Sequence, residues 1–379
     1  MIRIVHIITG LGSGGAENML YKLIKYSDKS KYYHEVISLM DEGVIGKRIR
    51  DEGVKIHSLN APKANILKAI LNARRICKEF DVINTWLYHS DIFGFLIAKI
   101  LLKKKLIWNI RHSNLDKNAN KSITLMIVKI NSLLSKKIDC ITFNSNKALE
   151  KHLAVGYKNK NTIVIPNGFE LEKFSFNEES RNTLREALKL DKDSKALITV
   201  GRWDVQKDYV TLFKALNEIK NTHTNFKMIM VGTNLDEYNE SLLNLSDKYD
   251  LKNLLILLGR RNDISEILSA ADCYISSSLG ESFSNSIGEA MACALPCIVT
   301  DVGDSKQIVG ETNQVVNAKD HKGLAEAIGR FLGNSECSRN FKSRDRIVEN
   351  FDIRKVVKEY ERNYQDVLFI SDGGHKNDL

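Results

Sequence analysis

The residue pattern best suited to chemistry lies in the last third of the chain. It runs Gly280-Glu281-Ser282-Phe283-Ser284-Asn285-Ser286-Ile287-Gly288-Glu289-Ala290-Met291-Ala292. Ser284–Ser286 reads as the opening of a helix reaching about Cys293, with serine as its cap. Glu289 then rides on the helix and Glu281 on the loop before it. Two carboxylates around a helix N-terminus can hold several sugar hydroxyls, while the free backbone N–H groups take a diphosphate. An apolar core face explains neither glutamate. Further upstream stands Gly201-Arg202-Trp203-Asp204-Val205-Gln206-Lys207-Asp208-Tyr209. On a loop past the end of a strand, Arg202 and Lys207 can converge on one anion, the arginine as a fork and the lysine as a point charge. The plain alternative is two solvated surface cations.

Two further loops carry reactive residue types. Gly10-Leu11-Gly12-Ser13-Gly14-Gly15-Ala16-Glu17 follows an apolar run and opens a helical one. Its glycines allow close backbone approach to a ligand, and the helix start favours an anion. It also satisfies GxGxxG, the dinucleotide fingerprint. That fingerprint wants an acidic residue at the end of the second strand, whereas Asp41 and Glu42 come late. An NAD-dependent oxidoreductase is the rival reading this loop keeps open, but it leaves Arg202, Lys207 and both glutamates unused. The other loop is Asn109-Ile110-Arg111-His112-Ser113-Asn114, where His112 can donate a hydrogen bond or move a proton near neutral pH. A loop histidine without a role is the alternative there.

These loops need strands to end at them, and the pattern supplies strands. Short Val/Ile/Leu-rich runs read as buried parallel strands at 3–8, 35–39, 54–59, 81–85, 105–110, 138–143 and 162–165. Helical periodicity fills the gaps at 16–26, 66–79 and 123–134. Pro166-Asn167-Gly168 marks a turn, with Asn-Gly suited to positive φ. The alternation restarts at 196–200, 227–231, 254–257, 273–276 and 297–300. Helices are expected at 336–350 and 352–368, and the tail Ser371–Leu379 reads as frayed. The fold class is therefore α/β, with two Rossmann-like parallel-sheet domains facing across a cleft. The expected domains are 1–168, completed by a C-terminal helix at about 352–370, and 169–351, with 371–379 a flexible tail.

Composition bounds the setting. The 379 residues are 43% hydrophobic and 27% charged, ordinary for a globular protein with two cores. The six cysteines, Cys77, Cys140, Cys273, Cys293, Cys297 and Cys337, form no CxxC pair and read as reduced, buried thiols. With neither a secretory signal nor an apolar run of membrane-spanning length, the expected location is the cytoplasm. The net charge of +9 is unevenly spread: residues 1–165 hold 28 basic and 13 acidic side chains, and the remainder is net acidic. Lysines alternate with Leu, Ile and Met in Lys63–Lys78, Lys99–Lys105 and Lys117–Lys137. Few aromatics interrupt these stretches, which disfavours nucleic acid and suits an anionic membrane surface on the inner face of the cell membrane. Solvated helix faces are the alternative.

Taken together, the motifs resemble the retaining glycosyltransferases of family 4, which have the GT-B architecture. The resemblance spans nearly the whole chain. It rests on the Gly-Gly-Ala-Glu loop, the Arg-His loop, Ile165-Pro166-Asn167-Gly168, the Gly-Arg…Gln-Lys-Asp segment, the Glu-x7-Glu block and Val299-Thr300-Asp301-Val302-Gly303-Asp304. It implies hexosyl or N-acetylhexosaminyl transfer from a nucleotide-sugar donor, by default a UDP-sugar, to a lipid-linked or saccharide acceptor in polysaccharide or glycolipid assembly. By the same resemblance Arg202 and Lys207 bind the donor diphosphate, Glu281 contacts the transferred sugar, and Glu289 takes the ribose hydroxyls. The amides of Ser284, Asn285 and Ser286 touch sugar or phosphate, Gly14 and Gly15 approach the donor, and His112 bonds the sugar. Arg261 and Ile264 lie in the segment that holds the base. No carboxylate is an evident nucleophile on the far side of the sugar, so same-face attack is expected. Asp191-Lys192-Asp193 matches Asp-x-Asp but precedes a strand, at the wrong end for a ligand. No metal and no other cofactor is expected.

Overall fold

Ile2–Ile8 can only be a strand buried from both sides, because its branched residues alternate between two cores. Ile4 and Ile8 enter one apolar cluster, and Val5 and Ile7 the other. The computed structural model describes residues 1–61, 65–116, 121–334 and 339–369. Lys63, Lys117, Glu336, Cys337 and the tail Ser371–Leu379 lie outside the described residues. The chain divides into two units, Met1–Gly168 with the chain from Ile353 onward, and Phe169–Asp352.

The first unit's strands are β1 (Ile2–Ile8), β2 (Tyr32–Ser38), β3 (Lys55–Ser58), β4 (Val82–Trp86), β5 (Lys105–Ile110), β6 (Cys140–Phe143) and β7 (Thr162–Val164). They form one parallel sheet in the order β3-β2-β1-β4-β5-β6-β7. Its helices are α1 (Gly15–Tyr26), α2 (Gly43–Asp51), α3 (Ile66–Cys77), α4 (Tyr88–Phe95), α5 (Ser122–Leu134) and α6 (Asn146–Ala154). A π-helical segment, Leu96–Leu102, continues α4.

The second unit's strands are β8 (Lys195–Val200), β9 (Phe226–Val231), β10 (Leu255–Gly259), β11 (Cys273–Ser276), β12 (Cys297–Thr300) and β13 (Gln314–Val316). They too are parallel, in the order β10-β9-β8-β11-β12-β13. The helices are α7 (Glu178–Ala187), α8 (Tyr209–Ile219), α9 (Glu240–Lys248) and α10 (Ile264–Ala270). They continue with α11 (Asn285–Ala292), α12 (Ser305–Val309), α13 (His321–Gly333) and α14 (Phe341–Phe351). The last helix, α15 (Ile353–Phe369), belongs to the first unit, where Val356, Val357, Tyr360 and Tyr364 pack with Met19, Leu20 and Leu23 of α1. The fold class is α/β, with two parallel sheets as the alternation required.

Three local expectations need correction. β13 has no counterpart among the expected strands: it is half-exposed at the sheet edge, and its branched run is only Val315-Val316. At Pro166-Asn167-Gly168, Gly168 is absent from the positive-φ glycines. Its small size serves packing instead: a side chain there would meet the Ile353 backbone at 2.7 Å, and its carbonyl accepts from Lys22 Nζ at 3.0 Å. Ser284 stands at the N-cap of α11 but makes no side-chain cap bond; its hydroxyl pairs with Ser286 Oγ at 3.3 Å.

Candidate active site

In the second sheet β8 sits beside β9 on one side and β11 on the other, so the order reverses between β8 and β11. In open parallel sheets this switch point, at the carboxyl ends of the strands, is where a ligand finds a crevice. The Arg202–Lys207 segment follows β8 and the Glu281 segment follows β11. The sheet order therefore brings together two motifs about eighty residues apart in sequence.

Lys207 Nζ lies 2.5 Å from Glu281 Oε1, with the side chains only 22% and 16% exposed. A charge-assisted bond this sheltered from water is short and strong. Ser278 Oγ donates to the same carboxylate oxygen at 3.1 Å. Backbone contacts fasten the two loops: Ser277 Oγ to the Lys207 carbonyl at 2.8 Å, Leu279 N to the Gln206 carbonyl at 2.7 Å, and Thr300 Oγ1 to the Ser278 carbonyl at 2.7 Å. Gly303 seals the arrangement from the next loop. Its φ is +56°, and a Cβ there would stand 2.2 Å from the Glu281 carbonyl oxygen, so no other residue fits.

Lys207 is positioned by its own turn. Asp204 accepts from Gln206 N at 2.9 Å, and Asp208, at φ +48°, caps α8 through Thr211. Trp203 and Tyr209 stack in parallel with centroids 5.2 Å apart, and the Tyr209 hydroxyl donates to the Arg202 carbonyl at 3.3 Å. Burial, then the charge of Glu281, pushes the Tyr209 phenol up, so it stays protonated. Arg202 itself is 66% exposed and bonded to Asp204 Oδ2 at 2.9 Å. Burial works to raise the Asp204 carboxyl, but the Gln206 N–H and the Arg202 guanidinium outweigh it and hold it below the usual carboxylate range.

The remaining second-unit candidates are spread along the same strand ends. Ser284 is buried, Asn285 and Ser286 are half-buried at the start of α11, and Ser286 Oγ accepts from the buried Tyr274 hydroxyl at 2.8 Å. Glu289 is half-buried on α11, and its carbonyl receives the Cys293 N–H. Arg261 is exposed and paired with Asp263 at 2.5 Å, just before Ile264 opens α10. That pairing raises the arginine and holds Asp263 low. Asp191 and Asp193 precede β8, at the amino end of the strand. No group of three or more His, Cys, Asp or Glu suited to a metal is formed among the described residues.

The first unit has its own switch point, between β1 and β4. Gly14 is the N-cap of α1 and Gly15 its first residue; Asn18 Nδ2 donates to the Gly14 carbonyl at 2.9 Å. Burial raises the Glu17 carboxyl beside them. His112, half-buried after β5, meets the Tyr88 ring edge-on at 6.5 Å. Arg111 turns inward, bonding Tyr360 at 2.7 Å and Asn167. The second strand ends at Ser38, whose hydroxyl donates to the Asp41 carbonyl at 2.6 Å, so the fingerprint's acidic position is not met. Ser277 and Ser278 lie outside every motif read from the sequence, and Tyr209 ends one without a role of its own. The run Ser276-Ser277-Ser278 at a strand's carboxyl end was the available signal.

Comparisons agree with this architecture. Residues 13–173 match the family profile described as Glycosyltransferase Family 4, and residues 180–350 the one described as Glycosyl transferases group 1. The chain is 25% identical over 312 residues to the UDP-Gal:alpha-D-GlcNAc-diphosphoundecaprenol alpha-1,3-galactosyltransferase of Escherichia coli, covering 80% of each. It is 22% identical over 374 residues to the N-acetylgalactosamine-N,N'-diacetylbacillosaminyl-diphospho-undecaprenol 4-alpha-N-acetylgalactosaminyltransferase of Campylobacter jejuni, covering 93% of this chain and 96% of that one. Its fold is similar to the crystal structure of Anabaena Alr3699/HepE in complex with UDP. There the TM-score is 0.86 at 18% identity, over 96% of this chain and 100% of that one.

Proposed function

The chain belongs to the family 4 glycosyltransferases of GT-B fold, and from that premise we propose that it moves a hexosyl or N-acetylhexosaminyl group from a UDP-sugar to a lipid-linked saccharide, with retention of configuration. The observation that carries this reading is the Lys207–Glu281 pair at the switch point of the second sheet. The names of the Escherichia coli and Campylobacter jejuni relatives support the lipid-linked acceptor, and the UDP complex of the Anabaena protein supports the donor.

In this reading Lys207 and Arg202 receive the donor diphosphate. Glu281, released from part of its bond to Lys207, faces the sugar and stabilises the positive charge that develops on its ring. The bond between the anomeric carbon and the β-phosphate oxygen breaks. The acceptor oxygen attacks from the same face, and its proton passes to the departing phosphate. Positioning and fixed charge do the work, without a covalent enzyme intermediate. The amides of Ser284, Asn285 and Ser286 at the start of α11 complete the anion site. Glu289 takes the ribose, the Arg261–Ile264 segment the base, and Gly14, Gly15 and His112 the sugar. The two cations supply the charge a metal would otherwise bring.

A membrane-facing role for the first unit is the second part of the proposal. No helix among the described residues is long and apolar enough to cross a membrane. Ile66, Leu67 and Leu71 of α3, and Ile123, Met126 and Leu133 of α5, are nevertheless exposed. Lys68, Arg74, Arg75 and Lys129 stand exposed among them. Apolar side chains interleaved with cations suit an anionic bilayer surface.

The experiment is release of UDP from a panel of UDP-sugars with a diphosphate-linked lipid saccharide as acceptor, the anomeric configuration of the product being read by NMR. Retained configuration without added metal supports the mechanism. An inverted product, or strict dependence on a divalent cation, rejects it. Flotation with phosphatidylglycerol vesicles tests the surface, and absence of binding at low salt removes that part.

A further inference from the structure

A groove of about 520 Å³ opens between the last helix and the loop that joins α1 to β2. That loop leads into the amino end of β2, so the groove is at the opposite end of the sheet from the Gly14 and His112 loops. None of the candidate active-site residues lines it. Its volume falls in the range of small-molecule sites.

The lining is cationic. Arg354, Lys358 and Arg362 are exposed and repeat every fourth residue, which sets them on one face of α15, and Lys31 joins them from the loop. Like charges at this spacing repel. Arg354 also stands in the first turn of α15, one residue after Ile353 opens the helix. A bound anion would offset that repulsion.

The two lining carboxylates are held within the protein. Glu361 Oε1 accepts from Ser27 Oγ at 2.9 Å and from Asp28 N at 2.7 Å. Asp28 accepts from Ser30 and pairs with Lys31 at 3.2 Å; the Ser30 and Lys31 bonds keep its carboxyl below the usual range. The floor is fixed as well. The buried Tyr32 donates to the Glu361 carbonyl at 3.4 Å and accepts from Gln365 Nε2 at 2.8 Å. The Arg354 guanidinium lies over the Tyr26 ring at 5.9 Å.

Its place in the sheet narrows the occupant. α1 and α15 pack with Ile4 and Ile8, whereas α3 and α5 pack with Val5 and Ile7, on the other face. A bilayer engaging the exposed apolar residues of α3 and α5 would leave the groove in water. We propose that the groove binds a small, soluble, phosphate-bearing anion.

The test titrates inorganic pyrophosphate into the full chain by calorimetry, with the donor site kept filled by UDP. The unchanged protein should bind at submillimolar concentration, and Lys358→Glu with Arg362→Glu should weaken binding at least tenfold while the UDP affinity stays as it was. Should that double variant misfold, Lys358→Gln with Arg362→Gln provides the same comparison. Equal pyrophosphate affinity in a folded variant, or no binding to the unchanged protein, overturns the proposal. Loss of capture by phosphatidylglycerol vesicles in the variant, with pyrophosphate affinity unchanged, overturns it in favour of a lipid headgroup. If UDP gives no heat, the donor reading fails separately, and the same titration on Lys207→Ala still reads the groove.

Discussion

Arg111 and Arg202 both follow closely on the carboxyl end of a parallel strand, and they end in opposite states. Arg111 is drawn inward: it bonds Tyr360 and Asn167, its guanidinium lies 5.5 Å from the Trp86 ring centroid, and burial lowers its basicity. Arg202 stays two-thirds exposed, its guanidinium bonded to Asp204 of the same loop. The contrast extends to the two units. The first uses polar groups to anchor α15. Trp86 Nε1 donates to His6 Nδ1 at 3.2 Å, which puts the His6 proton on Nε2. That proton points at His34 Nδ1, 2.9 Å away; His34 then donates to Ser27, and Ser27 to Glu361 of α15. The second unit instead gathers Lys207 and Glu281 where sheet order leaves a crevice, and fastens their loops through backbone bonds. On the proposed reading, a polar residue at a strand end serves a ligand where it is not spent on anchoring a neighbouring helix, as Arg111 is on α15.

If the comparison is right, changes at the Lys207–Glu281 crevice cost turnover, and changes to the groups that anchor α15 cost stability. Glu281→Ala should lower turnover roughly 10³-fold, the scale of losing an aimed electrostatic group, with the protein folded but melting earlier because Lys207 loses its sheltered partner. Gly303→Ala should cost roughly 10²-fold in kcat, because the added Cβ displaces the Glu281 backbone. Steady-state kinetics beside thermal melts would separate these effects. Arg111→Met should reverse the pattern, losing about 3 kcal/mol of stability through its hydrogen bonds while leaving UDP affinity intact.

Acid should weaken the first unit selectively. Burial, then the charge of Lys29, lowers His34 to about 4, and burial lowers His6 as well. The unfolded chain therefore takes up the His34 proton first, near pH 6.5, and stability falls from there down to about pH 4. The slope for one histidine is at most about 1.4 kcal/mol per pH unit. Denaturant melts across this window, compared between the unchanged protein and His34→Gln, should show a shallower slope in the variant. The smallest effect belongs to Arg261→Ala. Its side chain is exposed and spent on Asp263, so the KM for donor should move less than about threefold.

The strand positions of both sheets were legible because buried parallel strands are runs of branched residues, as in β1 and β12. β13 was not, since its branched run is only Val315-Val316, whereas the equally short β7 continues into Ile165. The loops bearing Lys207 and Glu281 were legible from residue type and from their place after strands. The sequence could not show that Ser284 bonds Ser286 rather than capping α11, because capping and pairing need the same residue. Nor could it separate Arg111 from Arg202. The difference is made by Tyr360, some 250 positions away, and only the return of α15 to the first sheet brings it there.

The most direct measurement compares the affinities of UDP and uridine by calorimetry in the unchanged protein and in Lys207→Ala. The diphosphate should improve binding at least a hundredfold in the unchanged protein, and most of that advantage should vanish in the variant. An advantage that survives the loss of Lys207, or that never existed, would contradict a sugar diphosphate held at the second sheet's switch point.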